Sequence, residues 1–247
     1  MASWFIADLH LDSSRPESIY CLFEFCSYLQ GSQARADALY ILGDFFEYWI
    51  GDDVLDTPQG QPIRPIVAAL AQLKQSGVAV YFIHGNRDFL IGEQFANLSG
   101  CELLPEQQVI DLYGTPTLLM HGDSLCTNDV EYQQTRALFR SPDWQAQLMN
   151  LSIPERLERA QALRMESQAR TRSKAETILD VNQAAVEAVM REYAVTCLIH
   201  GHTHRPAVHQ FDLDGKTVQR VVLGDWYQTS SFLRVDQHGL NLLKQFE

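Results

Sequence analysis

The chain lacks the marks of a disulfide or thiolate scaffold. Its five cysteines (Cys21, Cys26, Cys101, Cys126, Cys197) are an odd number and include no C-x-x-C pair. Reduced thiols, most of them small buried apolar groups, are therefore expected. No apolar run reaches the ~18 residues that a membrane-spanning helix needs. The start, MASWFIADLHLD, has neither the basic region nor the long apolar core of a signal peptide, so a cytosolic protein is expected. Basic surplus is missing as well. A formal charge of −12 over 247 residues excludes a nucleic-acid partner held by a broad basic surface. The same acidity would repel an anionic substrate unless bound divalent cations reversed the field locally.

What is present is a set of short apolar runs, each followed by polar or turn residues. SWFIAD, ALYILGD, VAVYFIHGN, TPTLLMHGD and VTCLIHGH read as buried strands ending at residues 8, 44, 86, 123 and 202. Between them, PESIYCLFEFCSYLQ opens with proline and carries apolar residues at helical spacing, and IRPIVAALAQLKQSG ends on a glycine suited to a C-cap. This alternation predicts an α/β layered core. The stretch from Ala207 onward, with an Asp-Gly turn between alternating segments, reads as a meander of antiparallel strands. No repeat or low-complexity linker divides the chain. A single domain over residues 1–247 is expected, with a helical, arginine-rich insertion at about 138–176.

Every one of those strands ends in residues that bind metals. ADLH supplies Asp8 and His10, GDFFE Asp44, GNRD Asn86, HGD His121, and GHTH His202 and His204. Ligands gather at the carboxyl ends of strands in α/β sheets. Any one of these motifs alone is explained as well by a turn or a cap, and it is the five in series that point to a site. Carboxylate, amide and imidazole without thiolate suit Mn²⁺, Fe²⁺ or Zn²⁺. Seven ligands exceed one tetrahedral site and suit two ions about 3.5–4 Å apart that share a carboxylate. Cations would also hold the crowded histidines neutral and oriented. His200 reads as structural, while Asp52 and Asp53 of WIGDD could either orient ligands or cap a helix.

The order D-x-H, G-D, G-N, H-G-D, G-H-x-H resembles the calcineurin-like metallophosphoesterase superfamily. The longer strings FIADLHL, ALYILGDFFEYWIGDD, FIHGNRDFLIG, LLMHGDSLCT and LIHGHTHRPAVH are similar to its UDP-2,3-diacylglucosamine diphosphatase family, over nearly the whole chain. The resemblance implies a four-layer α/β/β/α sandwich with an inserted helical lid. It also implies two divalent ions, Mn²⁺ by family expectation: one on Asp8, His10, Asp44 and His204, the other on Asn86, His121 and His202, with Asp44 shared. Asp44, Asn86 and Arg87 form the implied catalytic group. Asn86, Arg87, Asp129, Ser167, Thr171, Lys174 and His202 are the implied substrate contacts, with Arg164 a further candidate. The implied substrate is the lipid UDP-2,3-diacylglucosamine, met at the cytoplasmic face of the inner membrane, where attachment is peripheral.

Two features bear on which phosphorus compound is cleaved. Many superfamily members read GNH where this chain reads GNR. An arginine keeps its proton but neutralises phosphate charge, which favours a leaving phosphate over a leaving alkoxide. The insertion carries Arg156, Arg159, Arg164, Arg170, Arg172 and Lys174, a basic patch on an acidic protein, though its outer arginines suit a solvated helix face as well. Leu138, Phe139, Trp144, Leu148, Met149, Leu151, Ile153 and Leu157 could line an apolar chamber for acyl chains or simply pack in the core. Alternatives at this point are another nucleotide-directed metallophosphoesterase, which the basic insertion and Arg87 disfavour, and a scaffold that has lost catalysis, which the complete ligand set disfavours.

Overall fold

Strand β1 (Ala2–Ile6) shows how the layers are built, because it is buried throughout and its alternate side chains serve different cores. Trp4 and Ile6 pack beneath helices, whereas Phe5 packs between two sheets. The computed structural model describes residues 1–173, 178–227 and 229–246. The remaining strands are β2 (Ala36–Ile41), β3 (Ala79–Phe82), β4 (Glu102–Leu103), β5 (Gln107–Leu112), β6 (Thr115–Met120), β7 (Cys197–His200), β8 (Ala207–Leu213), β9 (Lys216–Val222), β10 (Phe232–Asp236) and β11 (Gly239–Leu243). The α-helices are α1 (Pro16–Gln30), α2 (Arg64–Gln75), α3 (Glu93–Ser99), α4 (Val130–Phe139), α5 (Pro142–Met149), α6 (Ile153–Ser173) and α7 (Gln183–Glu192).

One sheet runs β11-β10-β1-β2-β3-β4 and the other β5-β6-β7-β9-β8. Three apolar clusters separate four layers. Leu22, Phe25, Leu70, Leu73 and Phe95 of α1–α3 pack on Trp4, Leu39 and Phe82 of the first sheet. Phe5, Leu119, Ile199, Val221 and Leu233 fill the space between the sheets. Val186, Val189 and Met190 of α7 cover Leu118 and Leu198 of the second sheet. The outcome is the α/β/β/α sandwich. Among the described residues no helix is long and apolar enough to cross a membrane.

Strands β1, β2 and β3 are mutually parallel, as are β6 and β7. Their carboxyl ends therefore lie along one edge of each sheet. The ladders stop two to four residues short of the ends expected from the apolar runs, at Ile6, Ile41, Phe82, Met120 and His200. The reason is local: Asp8, Asp44, Gly43 and Gly122 take left-handed backbone conformations, which no ladder accommodates.

The tail departs from a single meander. β8 and β9 form a hairpin on the second sheet, turning at Asp214–Gly215 (φ 55° and 79°) as an Asp-Gly turn should. β10 and β11 form another hairpin at the edge of the first sheet. The segment between β9 and β10 crosses over, pinned by the buried Trp226. A further hairpin, β5–β6, turns at Tyr113–Gly114 with the same backbone signs.

Residues 138–176, expected as an insertion, contain α5 and the whole of α6. Ile153, Leu157 and Ala160 of α6 pack on the helix-side core. Arg156 is 3% exposed rather than solvated: it donates to the Ile50 carbonyl (2.6 Å) and ion-pairs with Asp53. Asp53 thus anchors α6, while Asp52 accepts from the backbone N–H groups of Gly92 (3.0 Å) and Phe95 (2.9 Å) and caps α3. Arg156→Ala is expected to cost about 1.5–3 kcal/mol, because the Ile50 carbonyl loses its charged donor while the half-exposed Asp53 regains water. A lowered urea midpoint at unchanged slope is the check.

Candidate metal centre

Five of the seven residues expected to bind metal sit where the backbone is least comfortable. Of nine non-glycine residues with positive φ among the described residues, five are Asp8 (57°), His10 (49°), Asp44 (51°), His202 (67°) and His204 (56°). Each such residue costs on the order of 1–3 kcal/mol and persists only where its surroundings dictate it. Glycines make room for the crowding. A Cβ on Gly85 would run into Asp44, and one on Gly201 would run into the Asp8 carboxylate.

Hydrogen bonds then lock the loops together. Asp8 N donates to Gly43 O (3.0 Å), His10 N to Asp44 O (2.9 Å), Gly201 N to His121 O (2.9 Å), and His202 N to Asp8 Oδ2 (2.8 Å). The side chains converge as a result. His10 Nε2 lies 3.3 Å from His204 Nε2, which is 3.5 Å from Asp8 Oδ1. On the other side, Asn86 Oδ1 faces both His121 Nε2 (3.1 Å) and His202 Nδ1 (2.9 Å). Asp44 lies between, with Oδ2 3.9 Å from His10 and Oδ1 3.6 Å from His121. Ligand atoms of Asp8, His10 and His204 lie within 4.8 Å of one another, as do those of Asp8, Asp44 and His121.

These groups fit divalent cations. Asp8 is fully buried, and its Oδ1 accepts no hydrogen bond, with only His204 Nε2 at 3.5 Å to offset its charge, an environment suited to a cation. The histidines are aimed from behind, as metal ligands commonly are. His121 Nδ1 bonds the Leu42 carbonyl (2.8 Å), His204 Nδ1 lies 3.1 Å from Asp225, and His10 Nδ1 lies 3.4 Å from Glu47.

Glu47 and Asp225 were not singled out in the sequence, although Glu47 closes the GDFFE string. Asp88, the last residue of GNRD, is another: fully buried, it accepts from the N–H groups of Gly85 (2.8 Å), Asp44 (3.3 Å) and Phe45 (2.7 Å), tying two ligand loops together. Asp123 of HGD accepts from Tyr132 Oη (3.0 Å) and Arg136 Nε (2.7 Å), fixing α4 to the site. For Glu47, Asp88 and Asp123 their place two or three residues beyond a ligand within GDFFE, GNRD and HGD was the available signal, whereas Asp225 had none. His200 stays outside the cluster, its Nε2 accepting from Arg220 (3.2 Å).

The charge states follow from burial and neighbours. Burial alone would raise Asp8, but His204 and the other histidines hold it far below the usual carboxylate range. Burial raises Glu47 too, yet His10 and Arg164 hold it at about 2. Burial and the adjacent Asp44 push Asp88 up to about 7. Burial, then His121, press His202 down to about 4, and burial with Arg220 presses His200 to about 3. His204 goes the other way: burial opposes its charge, but Asp225 and Asp8 lift it to about 10.

A cleft opens from this centre beneath α4–α6. Asn86, Arg87, Asp129, Arg164 and Ser167 line it, together with Phe89, Phe139, Trp144 and Leu148. Asp129 also caps α4 through Tyr132 N (3.1 Å), and Arg164 ion-pairs with Glu47 while donating to Tyr227 Oη (2.9 Å). The side chain of Thr171 and the whole of Lys174 lie outside the described residues. Of the eight apolar residues considered for a chamber, only Phe139, Trp144 and Leu148 line this cleft. Ile153 and Leu157 pack on the core, and Leu138 and Met149 are 52% and 40% exposed.

The Calcineurin-like phosphoesterase family model matches residues 1–206. Relatives named UDP-2,3-diacylglucosamine hydrolase match end to end. The one from Chromohalobacter salexigens is 48% identical over 247 residues, covering 100% of this chain and 98% of its own. That of Pseudomonas aeruginosa is 49% identical over 97% of each chain, and that of Stenotrophomonas maltophilia 49% over 98% of each. The chain belongs to the UDP-2,3-diacylglucosamine hydrolase family of calcineurin-like phosphoesterases. It is a hydrolase of the metallophosphoesterase type, and two divalent ions are what the family and these residue groups imply.

Because His204 in the metal-free protein holds its proton up to about pH 10, cation binding at neutral pH must expel that proton. Apparent metal affinity is therefore expected to rise with pH between 7 and 10, by up to about tenfold per unit for one proton released. Calorimetry in buffers of different ionisation enthalpy counts the protons, and His204→Gln should release fewer.

Proposed function

We propose that this chain cleaves the pyrophosphate of UDP-2,3-diacylglucosamine to UMP and 2,3-diacylglucosamine 1-phosphate, using two divalent cations, Mn²⁺ by preference. The carrying observation is one continuous cleft. It begins at Asn86 and Arg87 beside the ligand cluster and runs to Phe89, Phe139, Trp144 and Leu148. A pyrophosphate at the first end would leave acyl chains at the second, so both halves of a nucleotide-sugar lipid have a matching surface. The names of the relatives support the same substrate.

Asp8, His10, Asp44 and His204 would hold one cation, and Asn86, His121 and His202 the other, with Asp44 shared. Bound divalent ions there supply a Lewis-acid field that acidifies a water and draws charge from phosphoryl oxygens. The chain's own groups do the positioning. Asp44, which would be shared between the cations, accepts from Arg87 N (2.8 Å), so the GNR loop holds its carboxylate in place. Arg87 Nε is buried without a hydrogen bond, a donor held ready for a phosphate oxygen. Its charge stabilises a departing phosphate that needs no proton.

Residues 1–247 act as one domain in this reading, and 138–176 as the lid, with Asp129, Arg164, Ser167, Thr171, Lys174 and His202 contacting substrate. Exposed Met165 (71%), Leu138 and Met149 support a peripheral, reversible visit to the cytoplasmic face of the inner membrane.

Purified protein should release UMP from the diacyl substrate, lose that activity with chelator, and show none in His10→Ala or Asp44→Ala. Arg87→Ala should lower kcat by about 10²–10³-fold. Attack at the uridine-side phosphorus places oxygen-18 from water in UMP; label in the sugar phosphate overturns that regiochemistry. Turnover of simple alkyl phosphodiesters at a comparable rate overturns the substrate assignment.

A further inference from the structure

The tetrapeptide Gly224–Tyr227 (GDWY), between β9 and β10, belongs to none of the ligand motifs, yet it touches three of the four members of one ligand set, Asp8, His10 and His204. Trp226 N donates to Asp8 O (3.1 Å). Asp225 Oδ2 lies 3.1 Å from His204 Nδ1. Tyr227 stacks on His10, with ring centroids 5.1 Å apart and planes inclined by 13°. Its hydroxyl donates to Glu47 Oε2 (3.1 Å), which faces His10 Nδ1.

The segment is itself held firmly. Trp226 is buried, with Nε1 donating to Ser231 O (3.2 Å), and Gly224 N donates to Ser231 Oγ (3.0 Å). Tyr227 N donates to Asp225 Oδ1 (2.9 Å), which fixes the carboxylate. Arg15 lies over the other side of the arrangement, 4.4 Å from the Tyr227 ring centroid, and donates to the His10 carbonyl. Among the described residues, the contacts that join Asn86, His121 and His202 to one another and to Asp44 involve none of this segment.

We propose that Asp225 and Tyr227 are positioning residues for one of the two cations, the one held by Asp8, His10 and His204, and that they act separately on that ion. Asp225 orients His204 directly. Tyr227 orients His10 by stacking and by steadying Glu47 behind it. The inference rests on the two-ion reading above and adds the parts of this chain that make the two sites unequal. Outer partners of metal-bound histidines typically govern about 10–100-fold in metal affinity.

The test uses the full chain with Asp225→Asn and Tyr227→Phe, each nearly isosteric and each at a partly exposed side chain, so folding is retained. Mn²⁺ titration followed by the paramagnetic resonance of the free ion should give two equivalents in the unchanged protein. In both variants one equivalent should weaken about 10–100-fold while the other stays put. At subsaturating Mn²⁺ kcat should fall with KM for the lipid little moved, and excess Mn²⁺ should restore it. Two ions bound as tightly as before in both variants would overturn the inference, and so would equal weakening of both ions with a lowered melting temperature, which marks a merely structural role. An unchanged protein that binds fewer than two ions would instead overturn the dinuclear reading itself.

Discussion

Three buried aspartates, Asp8, Asp44 and Asp88, share one small volume with four imidazoles, and the fold is organised around tolerating that concentration of charge. Water cannot solvate these groups, so something else must. Asp88 is met by three backbone N–H groups. Asp8 and Asp44 are only partly met, by single backbone donors and by histidines whose nitrogens also crowd one another. The deficit is what a pair of cations would make good. The two parallel strand bundles, the left-handed ligand residues and the close-packed glycines all serve to bring that deficit to one point.

The sequence announced this point more clearly than it announced the architecture that carries it. Ligating side chains must sit at strand ends and must be of particular types, so short strings such as GNRD and GHTH betray them. Strand boundaries were harder to read, because apolar residues continue past the last ladder pair into loops whose backbone turns left-handed at Asp8 and Asp44. The tail reads as one meander because β9 and β10 have the same alternation, yet they lie in different sheets. Nothing in a period of two says which sheet a strand joins. Glu47 and Asp88 lie inside ligand strings, where an acid is as well explained by a turn, and only the fold brings Asp225 to His204. Arginines of the insertion were legible as a basic patch but not as individuals. Arg156 and Arg164 turned out to be spoken for by Asp53 and Glu47.

That pairing bears on how an acidic protein accommodates an anion. Six arginines line the cleft against three acids, although the chain as a whole carries −12. Arg136, Arg140, Arg156 and Arg164 are ion-paired with Asp123, Glu106, Asp53 and Glu47, so much of that positive charge is already matched by acids. Glu47 tempers it, since the same carboxylate faces Arg164 on one side and His10 on the other. The insertion is thereby tied electrostatically to the ligand cluster as well as packed upon the core.

The left-handed backbone at Asp8, His10, Asp44, His202 and His204 has an evolutionary corollary. Glycine would relieve the torsional cost at each of these positions, so drift toward a firmer, inert protein is always one substitution away. Selection for turnover must therefore push continuously against selection for thermal robustness at these same codons. Screens for heat-resistant variants of this chain would be drawn toward its ligands first.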